Sequence, residues 1–228
     1  MINFVTGPLF TLSLAVFVLG LIFRMVAYVV GLDGKADRIA YRAHTDRSIP
    51  GIFASIIKWL IPGGSRGWRA QPVAAVLFFL LHFGAVLVPL FLLGHTVVLE
   101  NSWFGISLPA LPAGLADLLS ILSLVALVLL VVRRIRLAKL RILTTAGDWF
   151  ILFLTIMPFL TGIVARFELC GNYEGWMLAH VLFGELFLIL APFTKLSHIA
   201  LFFMSRAQIG MDYAIKRGGA ARGGAFPW

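Results

Sequence analysis

Five stretches of this chain are each long and apolar enough to cross a membrane as a helix, and they constrain the fold more than any other feature. A membrane-spanning helix needs roughly 20 predominantly apolar residues. Apolar residues make up 61% of the chain and charged residues 13%, a composition that soluble domains do not have. The sequence therefore predicts an all-α integral membrane fold, with one domain over residues 1–204 and a tail over residues 205–228. The predicted spans are about Phe4–Val30, Val73–Leu99, Leu111–Val132, Thr145–Ala165 and Trp176–Met204.

The basic residues give the predicted spans an orientation. The chain has 19 Lys and Arg residues, and all except Arg166 lie in, or at the ends bordering, the loop at residues 31–72, the third connection and the tail. Cytoplasmic segments of membrane proteins carry such an excess of basic residues. The sequence thus predicts an N-terminus outside and a C-terminus in the cytoplasm. The net charge of +9 follows from this asymmetry, so it gives no reason to expect nucleic acid as a partner.

One segment of the first cytoplasmic loop has apolar residues at helical spacing. They lie between Pro50 and Pro62, at Ile52, Phe53, Ile56, Ile57 and Leu60. Two interpretations remain open, namely a helix lying in the membrane interface and a docking surface for a soluble partner. The basic connection at 133–141 and the tail at 205–228 would lie on the same cytoplasmic face.

The single cysteine, Cys170, limits the cofactors that the chain can hold. It excludes an internal disulfide, a Cys-ligated iron–sulfur cluster and a C-x-x-C-H haem attachment site. Of the five histidines, His44 lies in a polar loop, where a solvated side chain is expected. The other four lie within the second and fifth predicted spans, where ionisable residues are costly and usually functional. These four are His82, His95, His180 and His198.

The spacing of these histidines predicts two pairs. His180 and His198 are 18 residues apart, which is five helical turns, or about 27 Å along one face. Because the second and fifth spans run in opposite directions, His95 is expected opposite His180 on the outer side, and His82 opposite His198 on the inner side. Two imidazoles from two helices can hold a b-type haem without covalent attachment. The 13 residues between His82 and His95 do not return to one helix face, so the second span must depart from a regular helix near Pro89.

Three motifs resemble those of one known family, the gamma subunit of respiratory nitrate reductase, which is a membrane cytochrome b. Within that family the chain is most similar to the cytochrome-b-like membrane subunits of the high-molecular-weight cytochrome c complexes of sulfate-reducing bacteria. The resemblance covers all five spans in the same order. The motifs are Gly94-His95, then Arg133-Arg134 with the run from Arg141 to Asp148, then His180 to Gly184 with Pro192 to His198.

The resemblance implies a dihaem electron-transfer subunit of a respiratory complex in the bacterial inner membrane. Such a subunit passes electrons between a quinone or periplasmic multihaem cytochrome c and a cytoplasmic iron–sulfur subunit, and a further quinone-binding membrane subunit can belong to the complex. Two haem b groups are implied, and menaquinone is a further candidate. Gly94 would allow close approach of haem or quinone, and the candidate partners of the haem propionates are Arg141, Arg134 and Arg166.

The sequence departs from the family at two places. The span-two histidines lie closer together in the family than they do here. The family's basic residue at the outer quinol site is missing, and Glu100, Asn101, Ser102 and Trp103 occupy that region.

Two other interpretations stay open at the level of sequence. One is a transporter or proton-channel subunit with histidines in a proton path. The other is a membrane anchor that holds one haem or none. Glu185, within the fifth span, is expected to be protonated or hydrogen-bonded and is a candidate proton relay.

Overall fold

The computed structural model describes residues 2–32, 42–102 and 105–216, and the regular secondary structure of these residues is helical. Five of the described helices are long and apolar enough to cross a membrane, as the sequence predicts, so the chain is a multi-pass membrane protein. They are span 1 (Val5–Val30), span 2 (Pro72–Phe91), span 3 (Ala113–Arg136), span 4 (Ala146–Arg166) and span 5 (Tyr173–Phe193). Lys35, Arg38, Trp103 and residues 217–228 of the predicted tail lie outside the described residues. Residues 205–216 of that predicted tail are helical.

The described residues fall into two compact units. Unit 1 comprises residues within Met1–Val18 and Leu77–Lys195, and unit 2 comprises residues within Leu19–Val76 and Leu196–Trp228. Unit 1 therefore contains spans 3, 4 and 5, and unit 2 contains the described residues between spans 1 and 2 and the C-terminal helix (His198–Lys216).

Polar side chains fix the ends of the helices in unit 1. Thr145 and Asp148 form a capping box at the start of span 4, in which each side chain accepts the other residue's backbone N–H. Asp148 also accepts a hydrogen bond from Lys195, 2.6 Å away, just beyond span 5. At the other end of span 4, Arg166 makes a bidentate pair with Asp117 in the first turns of span 3, at 3.0 and 3.1 Å. Both ends of span 4 are thus held by ion pairs.

Span 2 is interrupted, as the histidine spacing requires. The helix that contains Pro89 ends at Phe91, Leu92 is extended with ψ 132°, and a separate helix (Leu93–Glu100) follows. The Phe91 carbonyl accepts a hydrogen bond from the backbone N–H of Leu111, at 2.7 Å. The predicted departure from a regular helix is therefore confirmed, and it lies three residues after Pro89.

The fifth predicted span ends earlier in the structure than the sequence suggests. Its α-helix ends at Leu190, a 3-10 turn covers Ala191–Phe193, and Thr194 is extended with ψ −174°. Pro192 lacks the N–H that a continuing helix would need, which accounts for an end at this point. The expectation of one continuous helix from Trp176 to Met204 is therefore wrong. The register that placed His180 and His198 on one face of that helix no longer applies.

Unit 2 is built on a close pair of helices. The amphipathic helix (Thr45–Leu60) packs against the C-terminal helix, and the two backbones approach where Gly51 meets Gly210. A Cβ added at Gly51 would lie 2.4 Å from the Gly210 carbonyl oxygen. Arg206 lies over the ring of Trp59, 4.7 Å from its centroid. Burial lowers the pKa of Arg206, yet an arginine remains charged at neutral pH.

The amphipathic helix confirms the helical pattern predicted between Pro50 and Pro62, but its buried face is the small-residue face. Ser48, Gly51 and Ser55 are buried, and small residues at a contact are typical of helix packing in membranes. Four large apolar residues lie on the face of the helix that is not buried, and each is about half exposed. They are Ile49, Phe53, Ile57 and Leu60.

Candidate functional site: a pair of facing histidines

The structure brings His95 and His180 together within unit 1, as the sequence predicts for the outer pair. Their Nε2 atoms are 3.5 Å apart, and the ring planes differ by 12°. The ring centroids are 5.8 Å apart. This distance exceeds the distance between the two Nε2 atoms by about the sum of the two ring radii, as expected when the nitrogens lie on the line between the centroids. The imidazoles therefore meet head-on through Nε2 rather than stacking face to face.

Each ring is held by its other nitrogen. His95 Nδ1 lies 3.1 Å from the Val88 carbonyl oxygen, and His180 Nδ1 lies 2.9 Å from the Pro158 carbonyl oxygen. A carbonyl only accepts hydrogen bonds, so the proton of each neutral imidazole resides on Nδ1. Each Nε2 is then an unprotonated nitrogen whose lone pair points at the other ring. Metal-ligating histidines are oriented by the same kind of bond from their second nitrogen.

Two facing lone pairs repel unless an acceptor of electron pairs lies between them. A proton would serve only by making one buried imidazole cationic, which is costly in apolar surroundings. A metal ion held by both nitrogens removes the repulsion and uses neutral imidazoles. The site would therefore suit a metal that takes both Nε2 nitrogens as neutral ligands.

The interruption at Leu92 is what lets His95 reach its anchor. In an unbroken helix Val88 would lie seven residues, or about 10 Å, along the axis from His95, beyond the reach of a histidine side chain. The extended Leu92 turns the chain, so that His95 Nδ1 bonds the same Val88 carbonyl that already accepts from the Leu92 N–H. The departure from helical geometry thus positions His95 opposite His180.

Span 4 provides a seat for the ring of His180. A Cβ added at Gly162 would lie 2.9 Å from Cε1 and from Nδ1 of His180, closer than real Cβ atoms approach. Pro158 lies one turn before Gly162 and supplies the carbonyl that bonds Nδ1. Only glycine at position 162 leaves room for the ring in this orientation.

The site also fits a b-type haem by ligand number. A Cβ added at Gly94 or Gly184 would meet no atom within 4 Å, so no neighbouring side chain fills the space at either glycine. Metal–imidazole bonds of about 2.0–2.1 Å would place the nitrogens about 4 Å apart, close to the observed 3.5 Å. Haem supplies the remaining iron ligands itself. The described residues contain no group of three or more His, Cys, Asp or Glu that could hold a bare metal ion, so the pair suits haem better than zinc.

The two inner histidines lie in different units. His82, in unit 1, is exposed on span 2, and its Nδ1 lies 2.7 Å from the Phe78 carbonyl oxygen. This is the same kind of anchor that His95 and His180 have. His198, in unit 2, is the exposed first residue of the C-terminal helix. The inner pair stays a prediction from the sequence.

The three arginines named as propionate partners already have contacts. Arg134 lies 3.3 Å from Thr144 Oγ1, Arg141 lies 3.2 Å from the Ile135 carbonyl oxygen, and Arg166 is paired with Asp117. Arg134 and Arg141 bond neutral groups, so their charge remains available to an anion. The charge of Arg166 is matched by a carboxylate, which makes it the weakest of the three for this role.

Sequence reasoning missed Gly162, Pro158 and Asp117. Pro158 and Gly162 are four residues apart in an apolar span, and residues at this spacing share one helix face. That signal marks a face where a neighbouring side chain can approach closely. Asp117 had a weaker signal, an acid close to the start of a span.

Together, these features define a multi-pass membrane protein with two histidines whose Nε2 atoms face each other. A protein of Nitratidesulfovibrio vulgaris (strain Hildenborough), described only as "Protein", is 58% identical over 228 residues, which is the whole of both chains. The chain belongs to the family of this protein. No family model matches the chain. No solved structure matches it either.

Proposed function

We propose that this chain is a haem-binding electron-transfer subunit of a membrane redox complex. The observation that carries the proposal is the head-on pair of His95 and His180, with each Nδ1 fixed by a backbone carbonyl and each Nε2 directed at the other. The outer haem b is assigned to this pair. The inner haem b is assigned to His82 and His198 on the resemblance of the Pro192–His198 motif alone, because the helical register between His180 and His198 does not hold.

The residues of the chain have a limited chemical task in this function. A bound haem supplies the redox chemistry, as its iron changes between ferric and ferrous states. His95 and His180 hold the iron as neutral ligands, and their carbonyl anchors keep the rings nearly coplanar. Gly162 leaves the room that His180 needs, and Arg134 and Arg141 offer positive charge to propionates.

The proposed setting is the bacterial inner membrane, with the N-terminus outside and the C-terminus in the cytoplasm. The basic residues of the loops support this orientation by the positive-inside rule. Electrons would pass between an outer quinone, with menaquinone as the candidate, or a periplasmic multihaem cytochrome c, and an inner iron–sulfur subunit. A further quinone-binding membrane subunit belongs to the proposed complex. Glu100 and Asn101 lie where the nitrate reductase gamma subunits that the sequence resembles have a basic residue, which argues against quinol oxidation at this chain.

The surface proposed for the iron–sulfur subunit lies on unit 2. The outer face of the amphipathic helix exposes apolar side chains, and the chain continues beyond the C-terminal helix as the tail at 217–228. Removing residues 217–228 should release the iron–sulfur subunit from purified complex and leave the haem spectrum unchanged. A cut further in, at residue 212, would also remove Ala214, which is buried and faces Gly51. A complex that stays whole without residues 217–228 would show that these residues are not needed to bind the iron–sulfur subunit.

Haem quantification tests the proposed function directly. We expect a reduced-minus-oxidised difference spectrum of the purified protein to show two b haems per chain. His180→Ala should remove one of them, because it deletes a ligand of the outer pair. His44→Ala is the matched control, since His44 is exposed and precedes the amphipathic helix.

The number of haems per chain distinguishes between the competing functions. A protein that binds no haem contradicts the proposal. It leaves a membrane anchor without haem, or a transporter or proton-channel subunit, which the buried Glu185 supports. Retention of the full haem content in His180→Ala contradicts the assignment of the outer pair.

A further inference from the structure

One buried acid of unit 1 is not used by the proposed function. Glu185 lies in span 5, five residues after His180, and is only 3% exposed. Within the described part of the chain neither of its carboxyl oxygens has a hydrogen-bond partner. The other buried polar side chains of this unit in the spans donate to backbone carbonyls, as Thr11, Ser13, Ser123 and Thr161 show.

The elements that pack against span 5 bring no compensating charge to Glu185. Span 4 contributes two charged residues, Asp148 and Arg166, and both are already ion-paired, with Lys195 and Asp117 respectively. The turn at Val5–Leu9 and the 3-10 turn at Ala191–Phe193 contain no titratable side chain. The helix Leu93–Glu100 meets span 5 through His95, and its titratable groups are His95 and Glu100. On span 5 itself the titratable groups are Tyr173, Glu174 and His180.

An unpaired carboxylate in such a place is unfavourable, because burial removes its hydration and nothing replaces it. The carboxylate form therefore requires a positive charge nearby. A ferric haem held by two neutral imidazoles carries one net positive charge on its iron and porphyrin, and this charge disappears on reduction. Five residues of helix place Glu185 about 7.5 Å along the axis from His180 and about 140° around it. Charges interact strongly over such a separation in a weakly polarisable interior.

We propose that Glu185 binds a proton when the haem held by His95 and His180 takes up an electron. This inference rests on the proposed function. The carboxylate of Glu185 and one proton from the aqueous phase become a carboxylic acid, while the electron, supplied by a quinol or a c-type cytochrome, reduces Fe(III) to Fe(II). The net charge of the site stays constant, so Glu185 links electron transfer through this subunit to proton uptake.

The test is a redox titration of the purified, haem-loaded protein at a series of pH values. The outer haem is identified as the redox wave that His180→Ala removes. Its midpoint potential should fall as the pH rises across the neutral range, because proton uptake favours the reduced form. In Glu185→Gln the potential should no longer depend on pH, and proton uptake per electron, followed with a pH indicator, should fall at least several-fold. Glu174→Gln is the matched control, an exposed acid on the same helix, and should behave as the wild type.

A second measurement does not depend on the variant folding. In the redox-difference infrared spectrum of the wild-type protein, a carboxylic-acid C=O band should appear on reduction and shift when glutamate is labelled with ¹³C. The absence of that band, or a pH dependence that persists in Glu185→Gln, overturns the proposal and leaves the haem assignment standing. A preparation without haem overturns both, and haem quantification shows that before any titration.

Discussion

The two units of the molecule use glycine contacts for different purposes. In unit 1, Gly162 makes room for a side chain, the ring of His180, whose other edge faces His95. In unit 2, Gly51 and Gly210 make room for each other's backbone, and the large apolar side chains are left on the outside. The first arrangement builds a site, and the second joins two helices. A change at the first kind of glycine should alter haem binding, while a change at the second should alter stability.

The histidines divide in the same way. His95 and His180 share unit 1 and have matching carbonyl anchors, while His82 and His198 belong to different units. A pair within one unit depends on that unit alone. The inner pair stays a prediction from the sequence.

The largest effect is expected from the histidines themselves. His180→Ala and His198→Ala should each remove one of two b haems. The haem missing from one variant should have a different midpoint potential from the haem missing from the other, because each variant deletes a ligand of a different pair. The combined variant should lose its haem absorbance altogether. Haem quantification and redox titration of the three variants measure this. Identical spectra for the two single variants would contradict two separate sites.

The next effect separates the seat of His180 from an ordinary glycine. Gly162→Ala places a methyl group 2.9 Å from the ring, so the ring must leave its bond to the Pro158 carbonyl. We expect outer-haem occupancy to fall several-fold or its midpoint potential to shift, with the inner haem unchanged. Gly114→Ala is the control, because a Cβ there meets nothing within 4 Å. An unchanged outer haem in Gly162→Ala would show that the ring does not rest on that residue.

A change at the helix contact of unit 2 should act on stability instead. The methyl group of Gly51→Ala would lie 2.4 Å from a backbone oxygen, which cannot rotate away as a side chain can, so the helices must separate. Overpacking of this kind typically costs about 1–3 kcal/mol. Thermal unfolding in detergent measures the loss. The control is Gly67→Ala, an exposed position whose nearest atom is 3.8 Å away. Outer-haem loss in Gly51→Ala, with stability intact, would contradict the division between the units.

Sequence alone predicted the features that depend on length and composition. The five spans follow from five long apolar stretches, and even the interruption of span 2 could be derived, because 13 residues cannot return two histidines to one face of a regular helix. The pairing of His95 with His180 followed from the antiparallel order of the spans.

Other features depend on local chemistry or on tertiary contacts that hydropathy does not report. The apolar run of the last span continues to Met204, yet the helix ends near Pro192, because a missing N–H outweighs hydrophobicity there. The seat at Gly162 exists only because His180 packs on span 4. The packing of the amphipathic helix through its small residues, Ser48, Gly51 and Ser55, depends in the same way on a contact with the C-terminal helix.

The smallest expected effect comes from the start of span 4, which belongs to unit 1 but not to its histidine site. Thr145 accepts the Asp148 N–H and donates its hydroxyl to the Asp148 carboxylate, so Thr145→Ala removes the cap and leaves a backbone N–H without its partner. Loss of such a cap costs about 1 kcal/mol. Thr155→Ala is the matched control, since the Thr155 hydroxyl bonds only the Ile151 carbonyl within the same helix. Thermal unfolding should show a lower midpoint for Thr145→Ala than for Thr155→Ala, with the haem spectrum of both equal to that of the wild type. A changed outer-haem potential in Thr145→Ala would contradict this expectation. It would mean that the start of span 4 and the residues that contact His180 move together. The whole of span 4, rather than Pro158 and Gly162 alone, would then position His180.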